Sequence, residues 1–187
     1  FHFGVSVPVS VPVAKKQRAL GGLVDAVKLV WPTGTEIQSS VQGIGGGGSV
    51  PGRLKNLSKP FLNPLYCKWS CNTSNPMFKG RNVPHIKTYY QLNSDDSFAW
   101  FMLGSHNLSK PAWGEGINGR YGQCLRVNSW ELGVFMCPNL LGNEPESVVL
   151  NPAGVDSNPR TVATIPIPLP YNCRPRHYQS VDAPWHL

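Results

Sequence analysis

Residues 98–103 read Phe-Ala-Trp-Phe-Met-Leu, six positions without one polar side chain. Successive residues of an extended chain point to opposite faces, so a strand with no polar position predicts burial on both faces. Strand-like and helix-like segments alternate around it, which predicts an α/β fold: a mixed β-sheet sandwiched between helices. Upstream, residues 84–90 are β-branched and aromatic and predict a strand, on which His85 and Lys87 share a face. An acidic turn at 94–97 joins the two strands. Downstream comes Gly104-Ser105-His106-Asn107, and Pro111 confines the start of the next helix to Asn107 or Ser109. A strand-to-helix turn of this kind aims free amides and a positive dipole end at one spot, a setting suited to phosphate.

The rest of the chain is less regular. Residues 5–13 alternate Val with Ser and Pro, but Pro8 and Pro12 lack the amide of a central strand and predict an edge or an extended linker. An apolar stretch to Trp31 reads as a strand, and Thr33 with Glu36 reads as a capping box opening a helix over about 34–41. Residues 43–52, with four consecutive glycines at 45–48, predict a loop that serves equally as a connector or a phosphate cradle. Residues 53–70 predict a short helix carrying Tyr66, Lys68 and Trp69, and 71–84 a loop. A hairpin is expected from 123–128 and 131–137, and 161–169 is the strand expected in the Pro- and Asn-rich tail.

Charge bears on the partner. The chain carries 17 basic and 10 acidic residues, and the excess lies in the first 110 positions, with 12 basic against 4 acidic. A one-sided basic surface favours a polyanion, nucleic acid being the commonest, with plain solubility as the alternative. Gly and Pro make up one residue in five and charged residues 14%, which excludes a coiled coil, while 41% hydrophobic residues exclude a disordered chain. No apolar run approaches the roughly 18 residues of a membrane span. The first residue is Phe1 rather than Met, which predicts a piece of something longer. Five cysteines without a repeated CxxC read as free buried thiols rather than a zinc site.

His85, Lys87, Asn107 and Glu131 are expected to converge at the ends of the strands. A proton carrier, a fixed cation and an amide around one anion suit phosphoryl transfer: Lys87 and Asn107 would hold non-bridging oxygens, and His85 would protonate the departing oxygen. No Asp/Glu cluster suggests a magnesium site, so metal-free chemistry without a cofactor is expected.

His85-x-Lys87 followed by Gly104-Ser105-x-Asn107 resembles one HxK…N half of the phospholipase D superfamily. The strings Pro84-His-Ile-Lys-Thr-Tyr89, Ala99-Trp-Phe-Met-Leu103, Asn107-Leu-Ser-Lys110, Ala112-Trp-Gly114 and Glu131-Leu-Gly-Val134 are similar to the second half of its tyrosyl-DNA phosphodiesterase branch. The resemblance runs over about 29–185 and is densest at 84–134. It implies a phospholipase D-like half domain over 21–187, truncated at its C-terminus, with a poorly matched low-complexity segment at 1–20. It also implies a nuclear DNA-repair hydrolase acting on 3′-phosphotyrosyl and other 3′-blocked ends left by topoisomerase I. In that family the first-half His attacks phosphorus and the second-half His, here His85, is the general acid and then base. Glu131 matches a Glu that orients a catalytic histidine, Ser109 and Lys110 match contacts to DNA phosphates, and Ser49 beside the glycines matches another.

This chain has one HxK, because neither His2, His106, His177 nor His186 has a Lys two residues later. The expected partners are therefore DNA with its peptide adduct, and either the missing first half or a second copy of the chain, as in single-motif nucleases of the superfamily. A DNA-binding remnant without turnover is the third reading. His106 stands where the family has a small residue, and Leu187 where its closing segment would offer an aromatic one.

Overall fold

The structure, a computed structural model, describes residues 4–6, 27–69, 82–119, 122–142, 148–152 and 163–187. In chain order its elements are β1 (Gly4–Ser6), β2 (Lys28–Val30), α1 (Gly34–Gln38), α2 (Leu54–Leu57), β3 (Tyr66–Cys67), β4 (Lys87–Leu92), β5 (Phe98–Gly104), α3 (Lys110–Trp113), β6 (Glu115–Gly119), β7 (Gly122–Arg126), β8 (Gly133–Met136), α4 (Pro138–Leu141), β9 (Val148–Pro152) and β10 (Ala163–Ile167). Eight strands form one mixed sheet in the order β10-β9-β5-β4-β1-β2-β3, with β8 also on β5, and β6 and β7 form a separate two-stranded sheet. The fold is mixed α/β as expected. Among the described residues no helix is long and apolar enough to cross a membrane.

Alternation along the strands divides the core. Leu29, Tyr66 and Tyr89 enter one apolar cluster with Trp31, Ile37, Val50 and Leu57; their neighbours Val30, Cys67 and Tyr90 enter the other with Phe98, Phe101 and Leu150. Both faces of the sheet are therefore buried around β4. The covering layers are short helices and irregular chain rather than long helices. The tail contributes Tyr171, whose hydroxyl bonds Thr88, and Tyr178, whose hydroxyl donates to the Trp31 carbonyl at 2.7 Å.

Several local expectations hold. Thr33 and Glu36 form a reciprocal capping box at the start of α1, and burial raises the Glu36 carboxyl above the ordinary range. Helix α1 ends at Gln38 rather than Val41, because Ser39 turns its hydroxyl onto the Glu36 carbonyl and a turn closes at Gly43, whose φ is +59°. Turn 94–97 is as read, with Asp96 at φ 69°.

Other segments differ. The glycine run coils into a 3-10 helix over Gly43–Ser49 instead of an open loop. A Cβ on Gly47 would lie 2.2 Å from the Trp185 ring, whose indole N–H donates to the Gly47 carbonyl at 3.0 Å, so glycine is required for this close approach. Within 53–70 the helix stops at Leu57; Pro64 enters a 3-10 turn, and Tyr66 lies on edge strand β3. Segment 4–6 sits inside the sheet, antiparallel to β2 and parallel to β4. Residues 7–26 and 70–81, Cys71 among them, lie outside the described residues. The expected hairpin of 123–128 with 131–137 does not form: β7 pairs with β6, and β8 crosses to β5. Its true partner, Gly-rich β6, has little apolar signal. Strand β9, parallel to β10, was likewise not expected.

Strand β5 is covered unevenly. Phe98 and Phe101 are buried, but Leu103 is 44% exposed, and its β8 partner Val134 is 60% exposed. Burial on both faces is thus incomplete at the Gly104 end.

Glycine at 47 is testable. Gly47→Ala is expected to lower unfolding stability by about 1–3 kcal/mol in urea denaturation, because the methyl must displace the indole. Gly48→Ala, with nothing within 4 Å of its added Cβ, is expected to leave the midpoint nearly unchanged.

Candidate active site

The pairing of β4 with β5 places Lys87 opposite Gly104, and β8 places Gly133 on the other side of Gly104. Residues paired across strands share a face, so the Lys87 side chain stands above two residues that have none. Lys87 is buried, and its ammonium lies 3.3 Å from His85 Nδ1, 3.4 Å from Nε2 and 2.9 Å from the His85 carbonyl. Burial lowers the Lys87 pKa from its ordinary value, while the Glu131 carboxylate opposes that shift. His85 is exposed and immediately precedes β4. Its pKa is also lowered, by partial desolvation and by the Lys87 charge.

Glu131 does not lie on a strand. It precedes β8, and its carboxylate accepts a 2.6 Å hydrogen bond from Ser105 Oγ, which in turn accepts from the Leu132 N–H at 3.0 Å. This carboxylate acts on both Lys87 and Tyr89, whose phenol is pushed up to about 12, mainly by burial. Asn107 follows the end of β5, and its Oδ1 is buried without a partner among the described residues. Tyr89 donates its hydroxyl to the His106 carbonyl at 2.8 Å, and Trp113 packs on both Tyr89 and His106 with ring centroids 5.1 Å apart.

The remaining candidates are Ser109, Lys110 and Ser49. Ser109 caps α3 through its carbonyl, which receives the Trp113 and Ala112 amides, and its own amide donates to the Asn107 carbonyl at 2.7 Å. Lys110 pairs with Glu115, which also receives Arg126 at 3.5 Å. The Lys110 pair is exposed and can exchange for a phosphate. Ser49 is exposed and donates to the Gly46 carbonyl at 2.8 Å. Gly46 packs on Val83, two residues before His85, since a Cβ there would lie 2.7 Å from Val83 Cγ2. A cleft of about 510 Å³ at Pro51, Gly52, Arg53, Asn56 and Leu187 includes none of these candidates.

Sequence reasoning left Ser105, Tyr89 and Trp113 without roles. Ser105 stood within the Gly-Ser-x-Asn string, and strand alternation puts Tyr89 on the Lys87 face. Among the described residues no group of three His, Cys, Asp or Glu side chains could hold a metal ion. The thiols differ from expectation: Cys67 is buried and its pKa is pushed up to about 11, but Cys124 is exposed.

The electrostatics predict a titration. His85 should titrate below the ordinary imidazole value in NMR spectra, and Lys87→Met should raise its pKa by removing the adjacent positive charge. A His85 pKa unchanged by Lys87→Met would contradict the contact.

Comparison with known proteins bears on the family and the fold. Residues 13–179 match the family model for tyrosyl-DNA phosphodiesterase. Tyrosyl-DNA phosphodiesterase 1 of Arabidopsis thaliana is 32% identical over 181 residues, covering 84% of this chain and 29% of its own length. The Drosophila melanogaster protein of the same name is 32% identical over 180 residues, 94% of this chain and 28% of its own length. The chain thus spans less than a third of these curated relatives. In fold it is similar to the crystal structure of the yeast tyrosyl-DNA phosphodiesterase, with a TM-score of 0.66 over 96% of this chain and 41% of that one, at 17% identity. With the family match spanning most of its length and a third of its residues shared with two such enzymes, the chain belongs to the tyrosyl-DNA phosphodiesterase family.

Proposed function

We propose that this chain is the C-terminal catalytic half of a phosphodiesterase that hydrolyses 3′-phosphotyrosyl and other 3′-blocked DNA ends in nuclear repair of topoisomerase I adducts. The observation that carries the reading is the buried Lys87 ammonium held against the His85 ring. A buried cation next to a second group that gains charge on protonation is poorly stabilised alone and favours an anion as neighbour.

Lys87 and Asn107 would hold the non-bridging oxygens of the scissile phosphate. A histidine of the first half would attack phosphorus and form a phospho-histidine, while His85 gives its proton to the departing tyrosyl oxygen. Neutral His85 would then take a proton from the water that attacks the phospho-histidine, which restores both imidazoles. The bound phosphate offsets the effect of Lys87 on His85 and raises its pKa toward the acid form that the first step needs. Glu131, fixed by Ser105, would orient the partner histidine, and Ser109, Lys110 and Ser49 would contact DNA phosphates. These residues require no metal ion.

A second reading is motivated by the exposed apolar residues Trp130, Leu132, Val134 and Phe135 next to the site. Two copies would then pair, each giving one HxK. A monomeric mass by light scattering at high protein concentration would exclude it.

Joined to a first half, the chain is expected to release tyrosine from a 3′-phosphotyrosyl oligonucleotide, with the same rate in EDTA. His85→Ala should lower the single-turnover rate about 10²–10⁴-fold, toward the lower end because a phenolate leaves more readily than an alkoxide. A variant as fast as the parent protein would overturn the role of His85.

A further inference from the structure

His106 occupies an unusual place on the Lys87 face. Lys87 pairs with Gly104 across the strands, so the space above Gly104 lies on the face that carries Lys87. The ring folds back into the space that Gly104 leaves open, because a Cβ at 104 would lie 2.9 Å from His106 Nδ1. Each of the two imidazoles, His85 and His106, lies two residues from the Lys87–Gly104 pair.

The ring is also held in place. Trp113 packs on it at 5.1 Å, and the Tyr89 hydroxyl fixes its carbonyl. Yet no described residue accepts or donates a hydrogen bond at either ring nitrogen, and Nδ1 is buried without a partner. A buried N–H without an acceptor is costly, so the neutral ring carries its proton on Nε2, the nitrogen that is not shut away. A side chain positioned from two sides, with its donor unused by the fold, is available to a ligand.

We infer that His106 is a further binding residue of this site, donating from its imidazole to a phosphoryl oxygen held beside Lys87. The inference rests on the reading of the site as one for a phosphodiester, and adds a donor that the HxK…N pattern does not contain. Its ligand class is the phosphate group itself, so inorganic phosphate is a sufficient probe.

The experiment is an imidazole NMR titration of the chain with inorganic phosphate at pH 6. The ring signals of His85 and His106 are expected to move together, with one dissociation constant. His106→Phe keeps a ring against Trp113 and removes both nitrogens, and is expected to weaken phosphate binding about tenfold, the loss of one charge-assisted hydrogen bond. Should that variant fail to fold, the response of His106 in the parent chain decides. A His85 signal that moves while His106 stays still, or a folded His106→Phe chain that binds phosphate as tightly as the parent, overturns the inference and spares the proposed function. If neither histidine responds, both fall.

Discussion

The antiparallel register that sets Lys87 against Gly104 is the constraint on which the site depends. Side chains alternate faces along a strand, so a slip of one residue would turn Lys87, His85 and Tyr89 away from the face they share and bring Thr88 and Tyr90 onto it. The register is held by burial on both sides: Tyr89 packs in one core cluster and Tyr90 in the other. Neither ring can change sides without emptying a core and exposing an aromatic face, a loss of several kcal/mol for a large side chain. Glycine at 104 then leaves the space above the sheet into which the His106 ring folds. Packing thus determines where the chemistry can take place.

The charges around Lys87 follow from that placement. A buried ammonium would ordinarily lose its proton or acquire a carboxylate partner. Here the carboxylate, Glu131, is anchored to Ser105 and acts on Lys87 at a distance, whereas the atoms in contact with the ammonium belong to His85. The site retains hydrogen-bonding capacity that its own residues do not satisfy, at Asn107 Oδ1 and His106 Nδ1 among the described residues. Both atoms are acceptors in the neutral side chains, and such unsatisfied buried atoms are uncommon in folded proteins.

How much was legible in the sequence depended on whether the signal was local. The Thr33–Glu36 capping box, the 94–97 turn and the two strands about it are specified by residues within a few positions of each other and form, although the first strand runs over Lys87–Leu92 rather than 84–90 and leaves His85 just before it. Strand β3 is two residues long and extended only through distant Leu29, Gly-rich β6 carries little apolar signal although β7 lies next to it in sequence, and in β9 the Val-Val-Leu run is cut short by Asn151 and Pro152. Residues 98–103 show a different limit. Their uniform apolarity predicted cover on both faces, yet Leu103 is exposed, since a sequence does not distinguish apolar residues buried in their own chain from those that meet another surface. Of the site, the HxK…N residues were legible as a pattern, while the Ser105–Glu131 bond and the cradle of Tyr89, Trp113 and Gly104 around His106 exist only through tertiary pairing.

The central claim is that the Lys87 face is an oxyanion site, and the most direct measurement is a crystal structure of the chain with tungstate, a tetrahedral mimic of phosphate. The account predicts the anion within hydrogen-bonding distance of Lys87 Nζ, the His85 ring and the Asn107 side chain. An anion bound instead at the cleft of Arg53 and Asn56, with the Lys87–His85 contact undisturbed, would contradict it.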